Sequence, residues 1–495
     1  MSTLPPFWPS RFDDAFDDER DGGDAFHDRC AVVGVFDPVA AGTPESAKLA
    51  YLMLYALQHR GQESAGIVSA DKEVLKRKIG NGHVADVFTE TDLAALTGAV
   101  AIGHARYATA GDASDTDARL RDCGPVFARC QAGPIAIAHN GNLVNADAIK
   151  SQLEERGSIF SSTVDTEVLL HLIASTHGSL LQRLQKCLKQ VRGAYAVTVT
   201  GDGKLYGARD PSGVRPLVLG KLGDTGWVLA SETCAFDLIG AEFIREVAPG
   251  ELVMIDEDGV TSHVIDNVEN LPVATCIFEH VYFARPDSVV FGKAVHEARR
   301  ALGVQLAKEN GVDADVVIPV PDSGMFAAMG YADQSGLPFA LGLVRNHYVG
   351  RTFIEPEQRI RHFGVKLKLN PVRGILAGKR VVVVDDSLVR GTTSKKIVDM
   401  IRSAGAKEVH LRISAPQTTH PCFYGVDTPS KDELIASRFD TDGIRRHVGA
   451  DTLAFLSREG LHQAVRSQPP QVPGACDACF SGDYPIAIGG HRARR

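Results

Sequence analysis

The stretch VVVVDDSLVRGTTS, residues 381–394, decides the fold of the second half of the chain. Four successive valines favour a strand buried on both faces, and SKKIVDMI after them favours a helix. Asp385 and Asp386 then lie at the carboxyl end of the strand, where open α/β sheets bind ligands. Backbone N–H groups of the small-residue turn and the positive end of the helix can hold a phosphate. The two acids suit a ribose diol or hydrated Mg²⁺. Solvated acids before a capped helix are the weaker alternative, because R-G-T-T-S follows directly.

Short apolar runs on both sides of this stretch show the same alternation of strand and helix patterns. ADVVIPVP, PFALGLV and EVHLRIS alternate with helix-length segments such as TTSKKIVDMIRSAG. Apolar strands that alternate with helices indicate a parallel sheet covered on both faces. We therefore predict an α/β domain over residues 263–465. SQPPQVPG interrupts regular structure after it, so residues 466–495 are expected to form an appended loop and tail.

The preceding part of the chain, residues 30–262, has a different pattern. IAIAHNGNLV and AYAVTVTGDGKLYGARD are typical of strands with turns. ESAKLAYLMLYALQHR and DTEVLLHLIAS carry apolar residues at helical spacing. This mixture predicts that residues 30–262 form a separate first domain, in which sheets are layered with helices.

The first 29 residues hold eight acidic residues against three arginines, so they contribute −5 of the formal net charge of −8. Their Asp, Gly and Pro content predicts a disordered leader. The remaining charge of −3 gives no reason to expect binding to nucleic acid or to a membrane. No apolar stretch approaches the roughly 18 residues of a membrane span, and the leader lacks the apolar core of a signal peptide. We therefore expect a cytoplasmic enzyme.

Nine cysteines occur in a long chain without a secretion signal, which argues against a disulfide framework. Four of them form a distributed set that ends in C-x-x-C: Cys276, Cys422, Cys476 and Cys479. Four thiolates can hold a [4Fe–4S] cluster or a structural zinc ion, and their spacing does not decide between the two. Chance or a redox pair is a further alternative. The cysteines at 123, 130, 187 and 234 are expected to be packing residues.

VVVVDDSLVRGTTS resembles the phosphoribosyl pyrophosphate (PRPP) signature of type I phosphoribosyltransferases. The resemblance implies that Asp385 and Asp386 bind the ribose hydroxyls and Mg²⁺. It also implies that PVPDSG, residues 319–324, faces the pyrophosphate with Ser323 near the metal. RNHYVGRTFIEPEQRIR, residues 345–361, would be a flap. The implied phosphate-binding residues are Ser387, Arg390, Gly391, Thr392, Thr393 and Ser394.

Four segments of the first domain resemble the N-terminal-nucleophile glutamine amidotransferases, a family with an αββα fold. They are LQHRGQESAGI (57–67), GHARYATAG (103–111), HNGNLVN (139–145) and SSTVDTEVL (161–169). The resemblance implies that Cys30 attacks the glutamine carboxamide and that Asn140 and the Gly141 N–H stabilise the oxyanion. Arg106 would bind the α-carboxylate of glutamine and Asp165 its α-ammonium group.

A thiol needs a base, and a free α-amine with a pKa near 8 serves on the same residue if Cys30 begins the mature chain. The leader would then be a propeptide cleaved between Arg29 and Cys30. Each residue also has an ordinary alternative. Cys30 could be a small buried residue, Asn140-Gly141 a hairpin turn, and Asp165 a helix N-cap.

The chain from Cys30 to Tyr484 resembles the amidophosphoribosyltransferase family, and RDPSGVRPL, ASETCAFD and YVGRTFI add to the match. The resemblance implies synthesis of 5-phosphoribosylamine from glutamine, PRPP and water, the opening step of purine synthesis, with ammonia passed between two sites. It also implies inhibition by purine nucleotides and a homotetramer. The residues around the four cysteines resemble the iron–sulfur branch, which favours [4Fe–4S].

Two segments depart from the family pattern: His347 replaces a basic residue, and residues 112–131 match poorly. Two other functions are alternatives to the one that the family resemblance implies. A non-catalytic PRPP sensor would not need the glutaminase residues, and another glutamine-dependent synthase would not need Asp385 and Asp386.

Overall fold

The computed structural model describes residues 27–28, 30–40, 42–71, 74–106, 120–265, 271–346, 369–465 and 474–488. Nearly all of the leader and most of the segment 345–361, with His347, lie outside the described residues. Within the described part, no helix is long and apolar enough to cross a membrane.

The first domain contains two antiparallel sheets. One has seven strands, in the spatial order Glu242–Glu246, Val218–Leu222, Gly226–Ala230, Cys30–Phe36, Val100–Arg106, Ser64–Asp71, Val74–Asn81. The other has six, in the order Gly259–Val264, Glu251–Asp256, Lys204–Arg209, Gly193–Gly201, Gly133–Leu143, Val126–Cys130.

Helices cover the outer face of each sheet. Glu45–Ala56, Val84–Val87, Glu90–Ala95 and Cys234–Asp237 pack on the first sheet, with the 3₁₀ turn Gln58–Arg60 following the first of them. Ala146–Glu155, Thr166–Ser175 and Leu180–Leu188 pack on the second. The result is an αββα sandwich, so the predicted fold of the first domain is confirmed.

The side chains of each strand point alternately to its two faces, and this explains why the two sheets pack together. Ala31, Val33 and Val35 pack against the outer helices, whereas Val32 and Phe36 pack against the second sheet. Successive side chains of a strand point to opposite faces, so a continuous apolar run such as CAVVGVF fits a strand that is covered on both sides.

The second domain is built on a parallel sheet in the order Val316–Pro319, Arg380–Asp385, Glu408–Ile413, Thr452–Phe455. Val295–Glu309, Met325–Ser335 and Arg458–Val465 cover one face. Arg373–Leu376, Thr392–Ser403, Ile435–Arg438 and Thr441–Val448 cover the other. Val382 and Val384 face the first set, and Val381 and Val383 the second, which confirms the predicted doubly covered sheet.

PFALGLV was expected to be a strand of this sheet, and only its beginning pairs with the sheet. Within it, Phe339 forms one isolated bridge to Val317, and Leu343–Arg345 pairs instead with Leu369–Pro371. Pro338 and Gly342 are poor strand residues, which explains why an apolar run here does not form a ladder.

Short pairings connect distant parts of the chain. Thr275–Cys276 pairs with Ala475–Cys476, followed by the helix Ala478–Ser481. Val289–Val290 pairs with Lys293–Ala294 after a π-helix, Glu279–Phe283. The end of the leader, His27–Asp28, pairs with Val426–Asp427 of the second domain.

Candidate functional site

Cys30 and Asn140 lie on facing strands at the same end of the sandwich. Cys30 shares the strand face of Val32, and Asn140 shares that of Ala138; both Val32 and Ala138 lie in the core between the sheets. Val32 is paired with His104, whose Nε2 lies 3.1 Å from the carbonyl oxygen of His139. Residues 30 and 140 therefore face the same inner layer.

The side chain of Asn140 is fully buried, and neither Nδ2 nor Oδ1 has a hydrogen-bond partner among the described residues. Leaving a buried polar group unpaired costs about 1–3 kcal/mol, so such a group is typical of a binding site rather than of a core. Asn140 and Gly141 lie inside the strand Gly133–Leu143, which excludes the hairpin-turn alternative.

Gly141 cannot be replaced by a residue with a side chain. Its φ of +145° lies in a region that favours glycine, and a Cβ would collide with the carbonyl oxygen of Ala194 on the neighbouring strand. The backbone next to Asn140 is therefore held in one unusual conformation.

Asp165 is bound to the same strand. Its Oδ2 accepts the backbone N–H of Leu143 at 2.8 Å, and its Oδ1 lies 3.5 Å from Nδ1 of His139. The helix Thr166–Ser175 begins after it, but the Asp165 side chain makes no N-capping hydrogen bond. Asp165 therefore occupies the N-cap position without capping the helix through its side chain, and its partly exposed carboxylate lies beside the segment that carries Asn140.

Arg106 is paired in register with Cys30. It is held by Asp122, a residue that the sequence analysis did not predict to be part of the site. Nη1 of Arg106 donates to the carbonyl oxygen of Asp122 at 2.7 Å. The Asp122 carboxylate accepts the N–H and hydroxyl of Thr163 at 2.9 and 2.6 Å. Asp122 lies in the poorly matching segment 112–131, so no motif pointed to it.

His104 stays neutral beside this group. Burial lowers its pKa to about 3, and the positive charge of Arg106 acts in the same direction. The site therefore holds Arg106 without a second cation at position 104 near neutral pH.

In the second domain Asp385 and Asp386 are both buried, not solvated. Asp386 accepts hydrogen bonds from Ser323 and Ser387, so PVPDSG and VVVVDDS meet at one edge of the sheet. Burial raises the pKa of Asp386 above its usual range, and those hydrogen bonds and Arg299 oppose the shift. Two adjacent buried carboxylates supply the oxygen atoms that a cation or a sugar hydroxyl can bind.

The turn after these acids leads directly into the helix Thr392–Ser403. Gly391, with φ +83°, is the residue before the helix, so the first N–H groups of the helix lie directly after this turn. Ser394 is buried in the first turn, and the guanidinium of Arg390 lies 3.2 Å from Glu433. This arrangement can bind a phosphate as the sequence predicted.

Two buried arginines and two buried glutamates lie between the domains. Arg60 contacts Glu232 and Glu279, and Arg215 contacts Glu279 at 3.1 Å; all four side chains are fully buried. Arg60 also points Nε at the carbonyl oxygen of Cys30, at 3.5 Å. The four residues occur in motifs that resemble the family, but no spacing along the chain predicts their pairing.

Cys276, Cys422, Cys476 and Cys479 line one small cavity together with apolar side chains such as Phe278 and Val426. Burial raises the pKa of Cys276, Cys476 and Cys479. In the described part of the chain, no group of three His, Cys, Asp or Glu side chains is arranged to hold a metal ion. The structure thus brings the four predicted cysteines together around one cavity.

Comparisons with known proteins agree with this two-part arrangement. A glutamine amidotransferase domain model matches residues 119–237, and a phosphoribosyl transferase domain model matches residues 293–425. The amidophosphoribosyltransferase of Bacillus subtilis is 48% identical over 465 residues, which are 93% of this chain and 95% of that protein. The chain belongs to the amidophosphoribosyltransferase family.

Other members of the amidophosphoribosyltransferase family match equally broadly. The chloroplastic protein of Vigna aconitifolia is 52% identical over 93% of this chain and 92% of its own length. The protein of Rhizobium etli is 50% identical over 95% of this chain and 94% of its own length.

Two solved structures share the fold of this chain over most of its length. The PRPP amidotransferase of B. subtilis, complexed with ADP and GMP, superimposes with a TM-score of 0.85, 47% identity and coverage of 93% and 98% of the two chains. A structure described as the allosteric regulatory enzyme of purine biosynthesis superimposes with a TM-score of 0.86 and 48% identity. The match covers 93% of this chain and 97% of that one. The chain is thus a glutamine-dependent amidotransferase joined to a pentosyltransferase.

Proposed function

We propose that the chain forms 5-phosphoribosylamine, glutamate and pyrophosphate from glutamine, PRPP and water, at two sites of one protein. The observation that carries the proposal is the buried, unpaired amide of Asn140 next to Gly141 and across from Cys30. A glutaminase needs such an amide for its oxyanion, whereas a PRPP sensor does not.

In the glutaminase half, Cys30 attacks the carboxamide after the leader is removed, and its own α-amine accepts the thiol proton. Asn140 and the Gly141 N–H bind the oxyanion, a contact that lowers the barrier by about 3 kcal/mol in other enzymes. Arg106, oriented by Asp122, binds the α-carboxylate of glutamine, and Asp165 binds the α-ammonium group. The domain ranges 1–29, 30–262, 263–465 and 466–495 stay predictions.

In the transferase half, Asp385 and Asp386 bind the ribose hydroxyls, and residues 387–394 bind the 5-phosphate. Asp385, Asp386 and the Ser323 hydroxyl fit one hydrated Mg²⁺ per subunit, because two buried carboxylates and a hydroxyl supply oxygen donors. When bound, Mg²⁺ would neutralise the leaving pyrophosphate. The protein orients the sugar so that ammonia displaces pyrophosphate at C1.

The four clustered cysteines are proposed to hold one [4Fe–4S] cluster per subunit. Their shared apolar cavity supports this donor set. The cluster would join the C-terminal segment to the strand Thr275–Cys276.

Regulation, assembly and location are part of the same proposal. The B. subtilis structure was solved with ADP and GMP, which supports inhibition by purine nucleotides here. Transfer of ammonia through a shielded passage, a homotetramer and a cytoplasmic location stay predictions, and the Vigna relative is named as chloroplastic.

Incubation of mature protein with PRPP, Mg²⁺ and glutamine tests the reaction. We expect glutamate and pyrophosphate in equal amounts and, from N-terminal sequencing, Cys30 as the first residue. Glutamate release that does not respond to PRPP would contradict the reaction, and full activity with Met1 to Arg29 still attached would contradict the maturation step.

A further inference from the structure

A loop of the transferase half, residues 422–427, touches the strand that carries Asn140 and Gly141. Nδ2 of Asn142 donates a hydrogen bond to the carbonyl oxygen of Phe423 at 2.9 Å. Gly425 lies against Gly141 so closely that a Cβ on Gly425 would be 2.8 Å from the Gly141 carbonyl carbon. The two domains are thus in backbone contact at the proposed oxyanion site.

The loop is also held from its other sides. Nε of Arg215 donates to the carbonyl oxygen of Tyr424 at 3.1 Å. The Tyr424 hydroxyl exchanges hydrogen bonds with the backbone of Ile486, in the C-terminal segment. Tyr424 and Val426 are buried in one core that also contains Ala194, the residue that packs on Gly141. A loop fixed at so many points can act as a rigid support.

We propose that Asn142 and Gly425 are positioning residues, which hold the oxyanion donors of the glutaminase in place from the transferase half. This inference rests on the oxyanion role proposed above for Asn140 and Gly141. Oxyanion donors act only when they are aligned in advance, and a displacement of about 1 Å can reduce a rate about 100-fold. Gly141 is already paired with the strand Gly193–Gly201 on one side, and the loop packs against its backbone through Gly425, so the loop adds a second restraint.

Asn142→Asp is the first test, because it keeps the side-chain shape and turns a carboxylate oxygen toward the Phe423 carbonyl oxygen. We expect kcat for glutamine hydrolysis to fall about tenfold or more, since the donors shift. KM for glutamine should stay within about twofold, because other residues bind its α-groups. Pyrophosphate release with ammonia as the nitrogen donor should be unchanged, which also shows that the protein is folded.

Asn145→Asp is the matched control, since the Asn145 amide donates to Gln190 inside the glutaminase half, at 2.9 Å. Gly425→Ala is the second variant, and we expect the same selective loss. Its control is Gly449→Ala, which places alanine at a similarly positive φ of +77° with nothing within 4 Å of the new Cβ. Both controls should hydrolyse glutamine at close to the normal rate.

Two results would overturn the inference: glutamine hydrolysis within about twofold of normal in both variants, or parallel losses with glutamine and with ammonia, which indicate a merely structural role. The variant Asn140→Ala distinguishes failure of the positioning role from failure of the proposed oxyanion role. If Asn140→Ala is inactive on glutamine while Asn142→Asp and Gly425→Ala are normal, the positioning role alone fails. If Asn140→Ala hydrolyses glutamine normally, the oxyanion role fails and the inference fails with it.

Discussion

Nη2 of Arg60 donates a hydrogen bond of 2.8 Å to Oε1 of Glu279, and neither side chain is exposed to solvent. Arg60 belongs to the glutaminase half and Glu279 to the transferase half, so this ion pair joins the two domains. Arg215 contacts the same carboxylate, and Arg60 also contacts Glu232. Buried charges are tolerated when they are paired in this way.

Glu279→Gln should therefore destabilise the protein strongly. The substitution removes the carboxylate that both buried guanidinium groups contact and leaves Glu232 beside Arg60. Breaking a buried pair costs about 3–5 kcal/mol. Thermal unfolding measured by calorimetry should show a clearly lowered Tm. Glu45→Gln removes the exposed pair with Lys48 and should change stability by less than about 1 kcal/mol. Equal Tm shifts for the two variants would contradict a special role for the interdomain pair.

Asp386→Asn should impair sugar transfer irrespective of the nitrogen source. The buried Asp386 carboxylate is proposed to bind the ribose and Mg²⁺, and an amide removes the negative charge that both need. We expect pyrophosphate release to fall about 100-fold or more with glutamine and with ammonia alike. Asp399→Asn, on the exposed face of the following helix, is the control. Normal ammonia-dependent release by Asp386→Asn would exclude the assigned role.

Cys479→Ser should prevent assembly of the proposed cluster. The purified normal protein should absorb near about 400 nm and contain iron and sulfide in equal amounts, because the four thiols share one cavity. The serine variant should lose the absorbance and the iron, whereas Cys130→Ser should keep both. Zinc without iron in the normal protein would reverse the choice between the two groups.

Stability should fall as the pH is lowered below about 6.5, in part because of His280. Burial lowers the pKa of His280 to about 4, so the unfolded chain binds a proton at this position before the folded protein does. The neutral form is favoured in the fold, and the corresponding stability is lost as the pH falls from 6.5 toward 4. By pH 5 this amounts to about 2 kcal/mol.

Measuring the Tm at pH 7 and at pH 5 checks the predicted loss of stability at the lower pH. His280→Gln should lower the Tm at pH 7 but should reduce the further loss on going to pH 5. The exposed His177→Gln should leave the loss unchanged. A loss of the same size in the normal protein and in His280→Gln would show that this histidine does not contribute.

Much of the fold followed from the sequence because its strands are continuous apolar runs. Val381 to Val384 face both covered sides of the parallel sheet, and CAVVGVF does the same between a sheet and a helix layer. The site residues of each half were found through motifs. Pairings between distant segments could not be predicted, since Arg60 and Glu279 are 219 residues apart and no sequence pattern connects one to the other. Asp122 was missed because its segment matches no motif.

Cys30→Ser in the mature protein tests the central claim most directly: that two separate sites of one chain make ammonia and use it. With glutamine as the nitrogen donor, pyrophosphate and glutamate release should be lost, because a hydroxyl is a far weaker nucleophile than a thiolate. With ammonia supplied directly, pyrophosphate release should continue at the normal rate. Undiminished glutamine hydrolysis by Cys30→Ser would contradict the account.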